Sequence, residues 1–141
     1  MHTTRDTYIT ALRHELVNFP EDTTFVGVVR RPTNRLRSVI DENCPSLGPP
    51  PDLSNEFKQL YEDFKMQGMC DDGAHNAAWD VVGFADRYRS HLTTDSDARK
   101  ALAELTDRLQ TDERLVLVCY ENTDRKRCHR TLLQNSLAAK L

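Results

Sequence analysis

The chain has 141 residues, 38% of them apolar and 29% charged, with a formal net charge of -3. That length bounds it to one domain with a sizeable core, and the acidic balance argues against a general affinity for nucleic acid. No run approaches the roughly 18 apolar residues of a membrane span, and Met1–Asp6 lacks the apolar stretch of a signal peptide, so no membrane association is expected and a cytoplasmic location is expected by default.

In chain order, Thr7–Asn18 reads as an amphipathic helix with Ile9, Leu12 and Leu16 on one stripe. Phe25–Val29 reads as a short buried strand. It is closed by Arg30, Arg31 and Pro32, and Arg35 and Arg37 follow, placing four cations just past the strand's carboxyl end. Residues Cys44–Asp52, with Pro49-Pro50-Pro51, read as a stiff surface loop. Ser54 is placed to cap a helix whose Phe57, Leu60, Tyr61 and Phe64 recur at helical spacing, which predicts a core stripe that Gly68 ends. Met69-Cys70 reads as the start of a short strand before an Asp71-Asp72-Gly73 turn. One helix with Trp79, Val82, Ala85, Tyr88 and Leu92 on its apolar face is expected next, then a helix capped by Thr94 or Asp95 that carries Ala98, Leu102, Leu105 and Leu109. Leu115–Cys119 is the clearest strand, an unbroken apolar run. A last helix is expected from His129 to Lys140.

Strands separated by long helical stretches imply an α/β fold, with a small parallel or mixed sheet flanked by helices in a single domain. In such sheets ligands collect beyond the carboxyl ends of the strands. If Phe25–Val29 and Leu115–Cys119 are parallel neighbours, Arg30, Arg31 and Arg35 face the same crevice as Arg125, Lys126, Arg127 and Arg130. An anion-binding site is the expected consequence.

The loop after Cys119 carries the chemistry. Cys128, at a helix start beside arginines, is the candidate nucleophile or redox thiol. Glu121 is the candidate for proton transfer, or a salt-bridge partner of Arg130 or Arg30. His129 is a candidate base or anion donor, although adjacent helical positions point about 100° apart, which argues against a Cys128–His129 pair. Arg30, Arg31, Cys119, Tyr120 and Arg130 are candidate substrate contacts, Tyr120 and Trp79 being able to stack on a base. Cys119 to Arg125 has the Cys-x5-Arg spacing of cysteine phosphatases, but no glycine lets the loop wrap an anion, and Glu121 and Asp124 would repel one. A zinc site drawn from Cys70, His75, Cys119, Cys128 and His129 lacks the usual ligand spacings, so neither metal nor cofactor is expected. Cys119 and Cys128 lie across one loop and form a candidate thiol–disulfide pair.

The pattern Cys119-Tyr120-Glu121, a spacer, then Cys128-His129-Arg130 resembles the signature near the C-terminus of the domain of unknown function 488 (DUF488) family. Trp79, Phe84, Tyr88 and Leu92 resemble that family's aromatic helix, and Val29-Arg30 with Pro32 its first strand end. The resemblance covers roughly Phe25 to Leu133. It implies a compact α/β domain with a shared site and brings no settled reaction. The family's strand carries an acid before the Val-Arg pair, where this chain has Val28.

The expected function is an enzyme acting on a small phosphate-bearing ligand such as a nucleotide or nucleic-acid base. The alternative is a non-catalytic module that binds a nucleotide or nucleic-acid end for a partner protein. A third reading makes Glu121–Arg130 a buried strut for the last helix. No apolar stripe demands a dimer partner.

Overall fold

The computed structural model describes residues 5–8, 11–12, 18–121 and 125–141. Four parallel strands, β1 (Arg5–Tyr8), β2 (Thr24–Gly27), β3 (Glu42–Asn43) and β4 (Leu115–Cys119), form one sheet in the order β1-β4-β2-β3. Arg5 to Tyr8 pair with Val116 to Cys119, and Thr24 to Gly27 with Leu115 to Val118. The two strands read from sequence are therefore parallel neighbours, and the fold is the α/β arrangement expected.

Period-2 alternation on β4 supplies both faces of the sheet. Leu115 and Leu117, with Val26 and Val28, pack on the main core, built from α2 (Pro51–Met66), α3 (Asp71–Val82), α4 (Phe84–Thr94), α5 (Ser96–Gln110) and α6 (His129–Lys140). Val116 and Val118 turn to the opposite face, against Leu36 of α1 (Asn34–Arg37), Leu12 and Ile40. All five residues of β4 are buried, as expected of a central strand covered on both faces. No helix among the described residues is long and apolar enough to cross a membrane.

Several elements differ from the sequence reading. Thr7 and Tyr8, expected to open a helix, belong to β1; Ala11 and Leu12 are helical, while Ile9 and Leu16 lie outside the described residues. Among the described residues, β1 and β3 are strands that were not expected, because they are too short and polar to show in the apolar pattern. Cys44–Asp52 is not a surface loop throughout: Pro45–Leu47 forms a 3-10 turn and Leu47 is fully buried. Pro51 opens α2, at the position where a missing N–H costs nothing, so Ser54 lies inside the helix and does not cap it. The stripe Phe57, Leu60, Tyr61 and Phe64 is only half-buried, with Leu53 the one buried side chain of α2.

Gly68, at φ 95°, ends α2 in a Schellman turn, with Met69 N–H bonded to Phe64 O and Gly68 N–H to Lys65 O. Met69-Cys70 is not a strand. Cys70 caps α3, its Sγ accepting from Gly73 N–H at 3.4 Å, and Asp71-Asp72-Gly73 is the first turn of that helix. The long aromatic helix is two helices, because Gly83 turns left-handed at φ 67° between α3 and α4. Asp95 caps α5 through Ala98 N–H, and the last helix and β4 have the bounds expected.

Candidate functional site

The carboxyl ends of β2 and β4 are held together by side chains from both following loops. Tyr120 Oη accepts from Thr33 N–H at 2.9 Å, while Thr33 caps α1, so the loop after β4 is tied to the loop after β2. Beyond β2, Asn43 extends the sheet by one residue: its Nδ2 donates to Val29 O at 2.9 Å and its Oδ1 accepts from Val29 N–H at 3.3 Å. Arg30 follows at once. Its Nη2 donates to Gly48 O at 3.1 Å and its Nε to Pro49 O at 3.4 Å, so neutral carbonyls orient the guanidinium without cancelling its charge.

A cavity of about 260 Å³ opens at this edge. Phe57, Trp79, Phe84 and Tyr120 supply aromatic walls, Arg30, Arg31 and Arg127 cationic groups, Glu121 a carboxylate, and Cys119, Cys128 and His129 sulfur and imidazole. Trp79 stacks on Phe84 with centroids 4.0 Å apart, and Phe57 meets Phe84 edge-on. Arg31 is exposed and pairs with no carboxylate among the described residues. Arg127 pairs with Asp80, which lessens its availability.

Cys128 Sγ lies 3.1 Å from Cys119 Sγ and 3.6 Å from His129 Nδ1. The expectation that Cys128 and His129 diverge does not hold. Cys128 is the helix cap, with extended backbone at φ -138° and ψ 145°, so the helical angle between neighbours does not apply to it. His129 Nε2 faces Val28 O at 2.6 Å. A carbonyl only accepts, so Nε2 carries the proton and Nδ1 presents a lone pair to the cysteine. The hydrogen bond between the two thiols shifts them in opposite directions. The Cys119 hydrogen bond holds the Cys128 thiol below its ordinary range, aided by the Arg130 backbone N–H and opposed by burial. Its bond to Cys128 and its own burial push the Cys119 thiol up.

Other expected site residues sit elsewhere. Arg130 is 1% exposed and does not line the cavity; its Nε donates to Asp6 at 2.8 Å and its Nη1 to Thr7 O. The strut is therefore Arg130–Asp6, tying α6 to β1, and not Glu121–Arg130. Glu121 instead lies 3.8 Å from Lys126. Of the five residues weighed for zinc, Cys119, Cys128 and His129 place donor atoms within 4.8 Å of one another. His75 lines the cavity by its other contacts, and Cys70 caps α3. The Cys-x5-Arg spacing runs across residues 122–124, outside the described residues.

Sequence reasoning missed the support that α3 gives the thiol loop. Asn76 clamps it with two bonds of 3.0 Å, Nδ2 donating to Arg125 O and Oδ1 accepting from Arg127 N–H. His75 Nε2 donates to Arg127 O at 2.8 Å, and Lys126 reaches Asp71 at 2.5 Å. Lys126, and then Tyr61, hold the Asp71 carboxyl below the usual carboxylate range. That contact's contribution is therefore complete above the ordinary carboxylate pKa and is lost only as pH falls through the depressed value. Replacing Asn76 by alanine should lower unfolding free energy by about 1 kcal/mol, since both bonds are solvent-accessible; a urea denaturation midpoint checks it.

A small parallel α/β sheet with a thiol pair and an arginine-bearing aromatic cavity at its carboxyl edge defines the class. The chain belongs to the DUF488 family: the family model DUF488-N3a, described as the active DUF488-N3 subclade, matches residues 9–141. No curated protein and no solved structure matches the chain.

Proposed function

We propose that the protein is an enzyme acting on a flat, phosphate-bearing molecule of the nucleotide or nucleobase class, bound in the crevice at the carboxyl edge of the sheet. The observation that carries this reading is the lining of one cavity by aromatic walls, by Arg30 and Arg31, and by Glu121 beside the Cys119, Cys128 and His129 cluster. Its volume lies just under the roughly 300 to 1,000 Å³ of drug-sized pockets, which suits one ring system. The ring stacks on the aromatic walls, and its phosphate lies at the rim, where Arg31 is exposed. Glu121 is the proton-transfer group, and the reacting atom lies over Cys128 and His129.

The near-complete burial of Cys128, 4% exposed, favours a second reading. On it, the cluster is structural and the crevice binds a nucleotide or nucleic-acid end on behalf of a partner protein.

A thermal-shift screen of wild type and Arg31→Ala against phosphate, sulfate, nucleotides and short single strands tests the binding. A ligand of the native state raises the melting temperature by mass action, so a nucleotide should shift wild type and shift Arg31→Ala less. The same ligand then separates the two readings. With an enzyme, Glu121→Gln keeps affinity and loses turnover by about 10²- to 10⁴-fold; with a binding module, wild type converts nothing and Glu121→Gln binds equally well.

A further inference from the structure

We infer that Cys119, Cys128 and His129 form a site for a thiophilic divalent cation of the zinc class. Both Sγ atoms and a ring nitrogen of His129 lie within 4.8 Å of one another, and all three residues are buried. Tetrahedral zinc, with bonds of about 2.3 Å to sulfur and 2.0 Å to nitrogen, sets sulfur and nitrogen ligands about 3.5 Å apart. The Cys128 Sγ to His129 Nδ1 distance is 3.6 Å. Two thiolates on one such ion lie about 3.8 Å apart, so the hydrogen-bonded thiol pair, now 3.1 Å apart, opens by under about 1 Å to take an ion.

The surroundings suit a ligand set as well. A metal-binding histidine ordinarily donates its second ring N–H to a carbonyl or carboxylate, which fixes the ring and its tautomer. His129 Nε2 does this to Val28 O at 2.6 Å, leaving Nδ1 as the free donor. Charge balances too: the ion displaces one proton from each thiol, and two thiolates neutralise a dication, so a buried site carries no net charge.

Three protein donors leave one coordination position, as in catalytic rather than structural zinc sites. All three donors line the cavity, and so does Glu121, two residues past Cys119. An ion there would supply the Lewis acid, and Glu121 the base, of a hydrolytic site. That consequence rests on the enzyme reading; the metal site does not.

The test uses the full chain, reduced, freed of metal by chelation and titrated with Co²⁺ without oxygen. The expected result is a single ion per chain, with thiolate-to-cobalt charge-transfer bands, the visible bands of tetrahedral cobalt, and release of both thiol protons. Cys128→Ala and His129→Ala should lose these spectra, and Cys70→Ser should keep them. Should the buried variants fail to fold, wild type alone decides: zinc loading should shield the Cys119 and Cys128 thiols, identified by peptide mapping, from alkylation. Folded, reduced wild type that gives no charge-transfer band, or that loses its band in Cys70→Ser, would overturn the assignment. Neither outcome bears on nucleotide binding, which is read without metal.

Discussion

Replacing Asp6 by alanine should lower the unfolding free energy by about 3 kcal/mol, one of the two largest effects expected in this protein. Arg130 is 1% exposed and its charge is met by Asp6 at 2.8 Å, with Thr7 O as a second acceptor. Removing one partner of a buried pair leaves the other charge desolvated and unmet, at a cost of about 3 to 5 kcal/mol. The lower end applies because the Asp6 side chain keeps 26% exposure. Arg130→Met should cost less, since the carboxylate it leaves behind can rehydrate. Urea denaturation with an unchanged slope would read both values. This ordering is the signature of a strut between α6 and β1. If Asp6→Ala stayed within about 0.5 kcal/mol of wild type, the level of an ordinary surface change, Arg130 would not depend on Asp6 and the strut would be wrong.

Gly48→Ala should be the second large loss, and its sign is the informative part. Gly48 has φ -71° and ψ 158°, a conformation any residue adopts. At such a position alanine ordinarily stabilises by about 0.4 to 1 kcal/mol, through the unfolded chain. Here a methyl group would sit 2.3 Å from Arg30 N and 2.9 Å from Val29 C, backbone atoms with no freedom to turn aside. Overpacking costs about 1 to 3 kcal/mol where side chains can adjust, and against backbone the upper end or beyond is expected. Because Gly48 O also orients the Arg30 guanidinium, the same substitution should weaken binding in the crevice. A melting temperature at or above that of wild type would contradict the close approach.

The fold was legible where apolar pattern and burial coincide. Leu115–Cys119 and His129–Lys140 announce themselves because one is buried on both faces and the other carries Leu133 and Leu137 into the core. Arg5–Tyr8 could not be read this way. Its place in the sheet comes from pairing with β4 and from the Arg130 contact, partners more than a hundred residues away. Glu42–Asn43 is a strand by virtue of neighbours also, its Asn43 side chain doing for Val29 what backbone does elsewhere.

The site was legible as a place more than as a geometry. The motif residues Cys119, Tyr120, Glu121, Cys128 and His129 do converge on one cavity with Arg30 and Arg31. Arg130 leaves that group because helix geometry aims it at β1, which no local spacing reveals. The Cys119–Cys128–His129 cluster escaped the usual ligand spacings because it joins a strand end to a helix cap, and only the extended backbone of Cys128 brings its sulfur to the neighbouring imidazole. The clamping role of Asn76 and His75 carried no signal, since it is to hold the backbone of a loop far along the chain.

The crevice contains the chain's single tryptophan, Trp79, stacked on Phe84 in the cavity wall. Its fluorescence is therefore a direct reporter of occupancy. A nucleoside monophosphate titrated at low salt into metal-free wild type should quench it along a saturable curve, and Arg31→Ala should need markedly more ligand for the same change. An unchanged Trp79 signal across the titration, or identical curves for the two proteins, would contradict an anion-binding site at the carboxyl edge of this sheet.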